Sequence, residues 1–80
     1  MKLEKSIFLI KEIRIHRKYI DSTQDFIDTL SKGGVEASKS FRFVTIPISK
    51  IEKMKQTDLD WIFATVYARC KLFSIIIDSR

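Results

Sequence analysis

Eighty residues, 45% of them hydrophobic and including six Phe, two Tyr and one Trp, suffice for one domain over 1–80 with a core of its own, and exclude a disordered chain. The net charge of +5 excludes an acidic mimic of a phosphate backbone and points to a polyanion or an acidic surface as partner. With one cysteine and one histidine, neither an internal disulfide nor a zinc site free of several carboxylates can form, so no metal or other cofactor is expected.

The chain opens with Lys2 and Lys5 and then "IFLI" (7–10), four apolar residues where a signal-peptide core needs about 7–15. The longest apolar stretch, 61–77, is broken by Arg69 and Lys71 and falls short of the roughly 20 residues of a membrane span. The expectation is a cytoplasmic protein with no membrane contact. Residues 1–20 carry six Lys or Arg against two Glu, whereas residues 21–40 carry two Lys against four acids. The positive excess is therefore concentrated in the first segment.

That segment is predicted to be extended. From position 11 the odd residues Ile13, Ile15 and Tyr19 are apolar, while Glu12, Arg14, His16 and Lys18 alternate with them, the period of a half-exposed strand. "SIFLI" is apolar at both parities, as in a strand buried between layers. Arg17 falls on the apolar side by parity, so the strand must leave the core there or the side chain must snorkel outward.

A short helix follows over 21–34. Ser22 with Asp25 resembles a capping box, Phe26, Ile27 and Leu30 make an apolar stripe, and Gly33 stops it. "SFRFVTIPIS" (40–49) reads as a strand that ends at Pro47 or lies at a sheet edge, since proline has no N–H for the ladder. Ser49 with Glu52 predicts a further helix start, backed by Ile51 and Met54, and Thr57 with Asp60 repeats the pattern. Positions 59, 62, 63, 66, 70 and 73 form a continuous helical stripe of Leu, Ile, Phe, Val, Cys and Phe. "LFSIIID" (72–78) predicts a last strand. The fold class is thus α+β, a small three- to four-stranded sheet with two or three helices packed on one face, in the order β-α-β-α-β. A further strand at Val35–Ala37 would make it βαββαβ, the ferredoxin-like arrangement.

Motifs that could carry chemistry have simpler structural uses. Gly33-Gly34 follows a helix, whereas a phosphate loop precedes one. Asp25 with Asp28, and Asp58 with Asp60, stand at helix starts, where carboxylates are favoured by the helix dipole. Cys70 lies on a core stripe, where small thiols pack inertly. His16 among cations could act as a base in RNA cleavage, but no second catalytic group stands at a diagnostic spacing, so a solvated histidine is the simpler reading. The aromatics Phe41, Phe43, Trp61, Phe63 and Tyr67 are expected mainly to bury.

The sequence therefore points to a non-catalytic small basic regulator that binds nucleic acid mainly through phosphate contacts. The candidate residues are Lys11, Arg14, Arg17 and Lys18 on the first strand, Arg42 beside them, and Lys50 and Lys53 on the following helix. The alternative is a protein-interaction module, an inhibitor, adaptor or subunit, whose edge strand near Pro47 meets an acidic partner. Self-association as a homodimer would suit a fold whose stability scales to only about 4–12 kcal/mol.

Overall fold

A computed structural model describes residues 10–52 and 54–78. The elements in chain order are β1 (Ile10–His16), a 3-10 turn (Arg17–Tyr19), α1 (Thr23–Lys32), β2 (Ser38–Lys39), β3 (Phe43–Ile46), a 3-10 turn (Ile48–Lys50), α2 (Gln56–Arg69) and β4 (Ser74–Ile77). The four strands form one antiparallel sheet in the order β2-β3-β1-β4. The expected α+β class, with a sheet and two α-helices, is what the chain adopts.

The alternation of the first strand places Ile13 and Ile15 opposite Ile46 and Val44 of β3, and all four are fully buried. They join Phe26 and Leu30 of α1 and Leu59, Ile62 and Val66 of α2 in a single core. Glu12, Arg14 and His16 take the other face, as the period of two requires. Between Ile10 and Glu12 the register against β4 slips by one residue, a bulge centred on Lys11. That slip brings Ile10 against the core and leaves the odd-position Lys11 exposed. The rest of "SIFLI", residues 6–9, lies outside the described residues.

The discord at Arg17 resolves as a strand end. β1 stops at His16, whose Nδ1 accepts from the Lys18 N–H at 3.2 Å and caps the 3-10 turn. Tyr19 therefore leaves the strand and does not share the buried row of Ile13 and Ile15. Beyond it, Ile20 bridges to Cys70, and the Lys71 N–H donates to the Tyr19 carbonyl at 2.8 Å. The end of β1 is thereby tied to the end of α2.

Helix α1 begins as its sequence suggests, with Ser22 Oγ accepting from the Asp25 N–H at 3.3 Å. It ends at Gly33, and Gly34 takes a φ of 86°, the left-handed region that glycine enters without penalty. A Cβ on Gly33 would fall inside contact distance of the Trp61 ring, so this glycine also admits α2 close to the end of α1. The two helices are further joined by Arg69 Nε, 3.0 Å from Asp25 Oδ2.

Three expectations are corrected. The strand placed at Val35–Ala37 is found at Ser38–Lys39, because buried Val35 packs into the core while Ser38 and Lys39 pair with Thr45 and Val44. The strand before Pro47 does end there, at Ile46, so that proline's missing N–H falls beyond the ladder, but the alternative of an edge strand is corrected, since it pairs on both sides. The helix expected from Ser49 and Glu52 is a single 3-10 turn. Ile48 is 3% exposed, and the Ile51 N–H returns only to Ile48 O before Ile51 itself turns extended. α2 begins later, with Asp58 Oδ2 accepting from the Lys55 N–H at 3.1 Å. Asp60 instead accepts from Gln56 Nε2 at 2.9 Å.

Candidate nucleic-acid interface

Both helices bury against the Ile13, Ile15, Val44 and Ile46 face, and no helix of the described residues covers the opposite one. That open face is built from Glu12, Arg14 and His16 of β1, Phe43 and Thr45 of β3, and Ser74 and Ile76 of β4. The register sets Arg14 between Thr45 and Ser74 and places His16 directly opposite Phe43. The His16 and Phe43 rings meet edge to face with centroids 5.1 Å apart, and His16 meets Tyr19 similarly at 6.2 Å. The Arg14 guanidinium lies 5.9 Å from the Phe43 ring centre, and Lys18 Nζ lies 5.2 Å from that of Tyr19. Arg14, His16, Tyr19, Phe43, Leu72, Phe73 and Ser74 line a groove of about 280 Å³.

The hairpin between β2 and β3 extends this end of the sheet. The Ser40 N–H donates to Phe43 O at 2.8 Å, closing the turn, and its tip projects Phe41, 87% exposed, and Arg42. Arg17 braces the tip: its N–H donates to Arg42 O at 2.7 Å, and its guanidinium donates to the Ser40 and Phe41 carbonyls at 3.4 Å. Arg17 thus spends part of its donor capacity on structure. Arg14 spends part of its own on Glu12, which accepts from both Nε and Nη2. Lys18 and Arg42 are exposed and form no ion pair among the described residues.

Of the sequence candidates, Arg14, Arg17, Lys18 and Arg42 stand together at the His16–Phe43 end of the sheet. Lys11 and Lys50 lie toward the other end, one at the β1 bulge and one in the turn after β3. Lys50 there lines a shallow groove with Glu36 and Glu52, whose charges oppose it. Lys53 lies outside the described residues. The expectation that Phe41 and Phe43 bury is corrected too: β3 turns Phe43 to the open face, and Phe41 belongs to the hairpin tip. Trp61 and Tyr67 are exposed as well, against expectation: Trp61 lies over Gly33, and Tyr67 stands beside Phe63 and Phe73 with ring centres 6.2 and 5.3 Å away. The sequence pattern shows that Arg14 and His16 share a face, but the pairing of His16 with Phe43 depends on strand register, which local periodicity does not carry.

The described residues contain no group of three His, Cys, Asp or Glu side chains fit to hold a metal ion. Cys70 caps the end of α2 and packs on the core. Burial, and secondarily the charge of Asp21, push its thiol up to about 11 against the usual 9.0, with Arg69 opposing. At pH 8 the thiolate is therefore scarcer than in the unfolded chain by about two decades, and the higher basicity of the sulfur restores roughly one of them. Iodoacetamide should label native Cys70 about tenfold more slowly than the urea-unfolded chain, read by intact mass. Equal rates would show the thiol to be unshielded.

No known family model, curated protein or solved structure matches the chain. The site rests on its own geometry.

Proposed function

We propose that this is a non-catalytic protein that binds single-stranded nucleic acid across the open face of its sheet. The observation that carries the reading is the His16–Phe43 ring pair on the face that no described helix covers, bordered by Arg14, Arg17, Lys18 and Arg42. Unpaired bases stack on aromatic rings of such sheets, and flanking cations follow the phosphates. A duplex hides its bases, which favours the single strand here. In this reading Lys18 and Arg42 contact phosphate, Arg17 shapes the hairpin and adds charge, and Phe43 and His16 support bases. Stacking thus joins the phosphate contacts that the charge pattern alone suggests.

The test is a fluorescence-anisotropy titration of a labelled ten-nucleotide strand over a series of salt concentrations. With three or four phosphates contacted, log affinity should fall with log salt at a slope of about −2 to −3. Lys18→Ala combined with Arg42→Ala should flatten that slope by about 1.4. An absence of binding to RNA and DNA strands at ~50 mM salt would remove the proposal, since electrostatic contacts are strongest there.

A second reading, a protein-interaction module or homodimer, draws on a different feature. Among the described residues β4 is an edge strand, and its Ile75 and Ile77 are 41% and 55% exposed with no charge among its four residues. Unprotected edges pair with other strands. Partners recovered with the chain after nuclease treatment would favour this reading, and loss of all of them would favour the first.

A further inference from the structure

The open-face groove is biased toward hydrogen-bond donors, and this bears on which base it takes. His16 Nδ1 accepts from the Lys18 N–H, so in the neutral ring the proton sits on Nε2. That Nε2–H has no protein acceptor among the described residues. His16 lines the groove together with Arg14, whose guanidinium can only donate, and with Tyr19 and Ser74, whose hydroxyls can donate or accept. Among the described residues, none that lines the groove carries a carboxylate or amide side chain; Glu12 stands next to it but is occupied by Arg14. Its volume of about 280 Å³ lies just below the ~300 Å³ at which pockets for whole small molecules begin. Its lining is largely aromatic and apolar, which suits one planar base.

Resting on the nucleic-acid reading above, we infer that this groove holds one base by its ring carbonyl oxygen and so prefers keto bases, uracil or guanine, to adenine. Adenine offers an exocyclic amino donor where uracil and guanine offer an oxygen, and that donor finds no acceptor in the His16 Nε2–H or the Arg14 guanidinium.

The experiment compares labelled ten-nucleotide strands of uridine and of adenosine at one low salt concentration, with the parent chain and with His16→Phe. That substitution keeps an aromatic ring on the face and removes the Nε2–H. The parent chain should bind the uridine strand about tenfold more tightly, the scale of one hydrogen bond gained. His16→Phe should bring the uridine-to-adenosine affinity ratio down toward one, whatever it does to the affinity of both strands together, with circular dichroism confirming the fold. Equal binding of both strands by the parent chain, or preference for adenosine, overturns the keto-base assignment while leaving the nucleic-acid reading intact. Preference retained in folded His16→Phe overturns the role of His16. Failure of both strands to bind overturns the underlying reading, and the assignment falls with it.

Discussion

A Phe43→Ala chain should bind a single-stranded oligonucleotide about 1–3 kcal/mol more weakly than the parent, the cost of one lost base–aromatic stack. Phe43 is placed to make that contact by β3, whose alternate residues Val44 and Ile46 are fully buried and fix the strand's orientation. Its ring leans on His16 and carries Arg14 above it, so its removal takes away both a platform and a cation–π partner. The variant should stay folded, because Phe43 is only half-buried and lies outside the core. Phe43→Leu provides the control: it preserves apolar bulk on the strand and removes the π-face, so its affinity should follow Phe43→Ala. Parent-level binding by both folded variants would exclude stacking on this residue and return the interaction to phosphates alone.

The features legible in the sequence were those with a local period or a local cap. Ile13 and Ile15 buried, with Arg14 and His16 turned away, follow from strict alternation, and Ser22 with Asp25 caps α1 because the motif spans four consecutive residues. The stripe from Leu59 to Val66 lies on one side of α2 as the helical period requires, though Cys70 and Phe73 fall beyond the helix end. What escaped the sequence is longer in range or one residue in size. The bulge at Lys11 breaks the parity count by a single residue, and no residue type announces it. The Ser49–Glu52 pattern has the letters of a capping box, yet burial of Ile48 holds that segment to one turn. Thr65 is buried as well, which its polar character conceals; its hydroxyl donates to the Trp61 carbonyl one turn back at 2.9 Å.

The candidate site divides along the same line. Arg14, Arg17 and Lys18 are neighbours in sequence and remain so in space. Arg42 joins them because antiparallel pairing of β1 with β3 carries the hairpin tip to the end of β1. The same pairing carries Lys50 away, since it follows β3 and so lies at the opposite end. A count of positive charge cannot separate these two lysine and arginine groups; strand direction does.

The largest stability effect should come from Phe26→Ala. Phe26 is fully buried on α1 against the sheet's helix-covered face, and truncating a buried Phe costs about 3–5 kcal/mol. A chain of this length holds about 4–12 kcal/mol in total, so the variant should lose from about a quarter to all of its stability, read by circular dichroism as a lowered urea midpoint or an unfolded chain. Phe41→Ala, at the exposed hairpin tip, should stay within about 0.5 kcal/mol of the parent. Set beside Phe43→Ala, these variants assign the two faces of the sheet by energy. Phe26 should lose stability, Phe43 should lose ligand, and Phe41 should lose no stability. The reverse pattern, in which Phe43→Ala unfolds the chain and Phe26→Ala is tolerated, would mean that the core lies on the face assigned to nucleic acid. Arg14 and His16 would then be buried and could not meet a phosphate or a base.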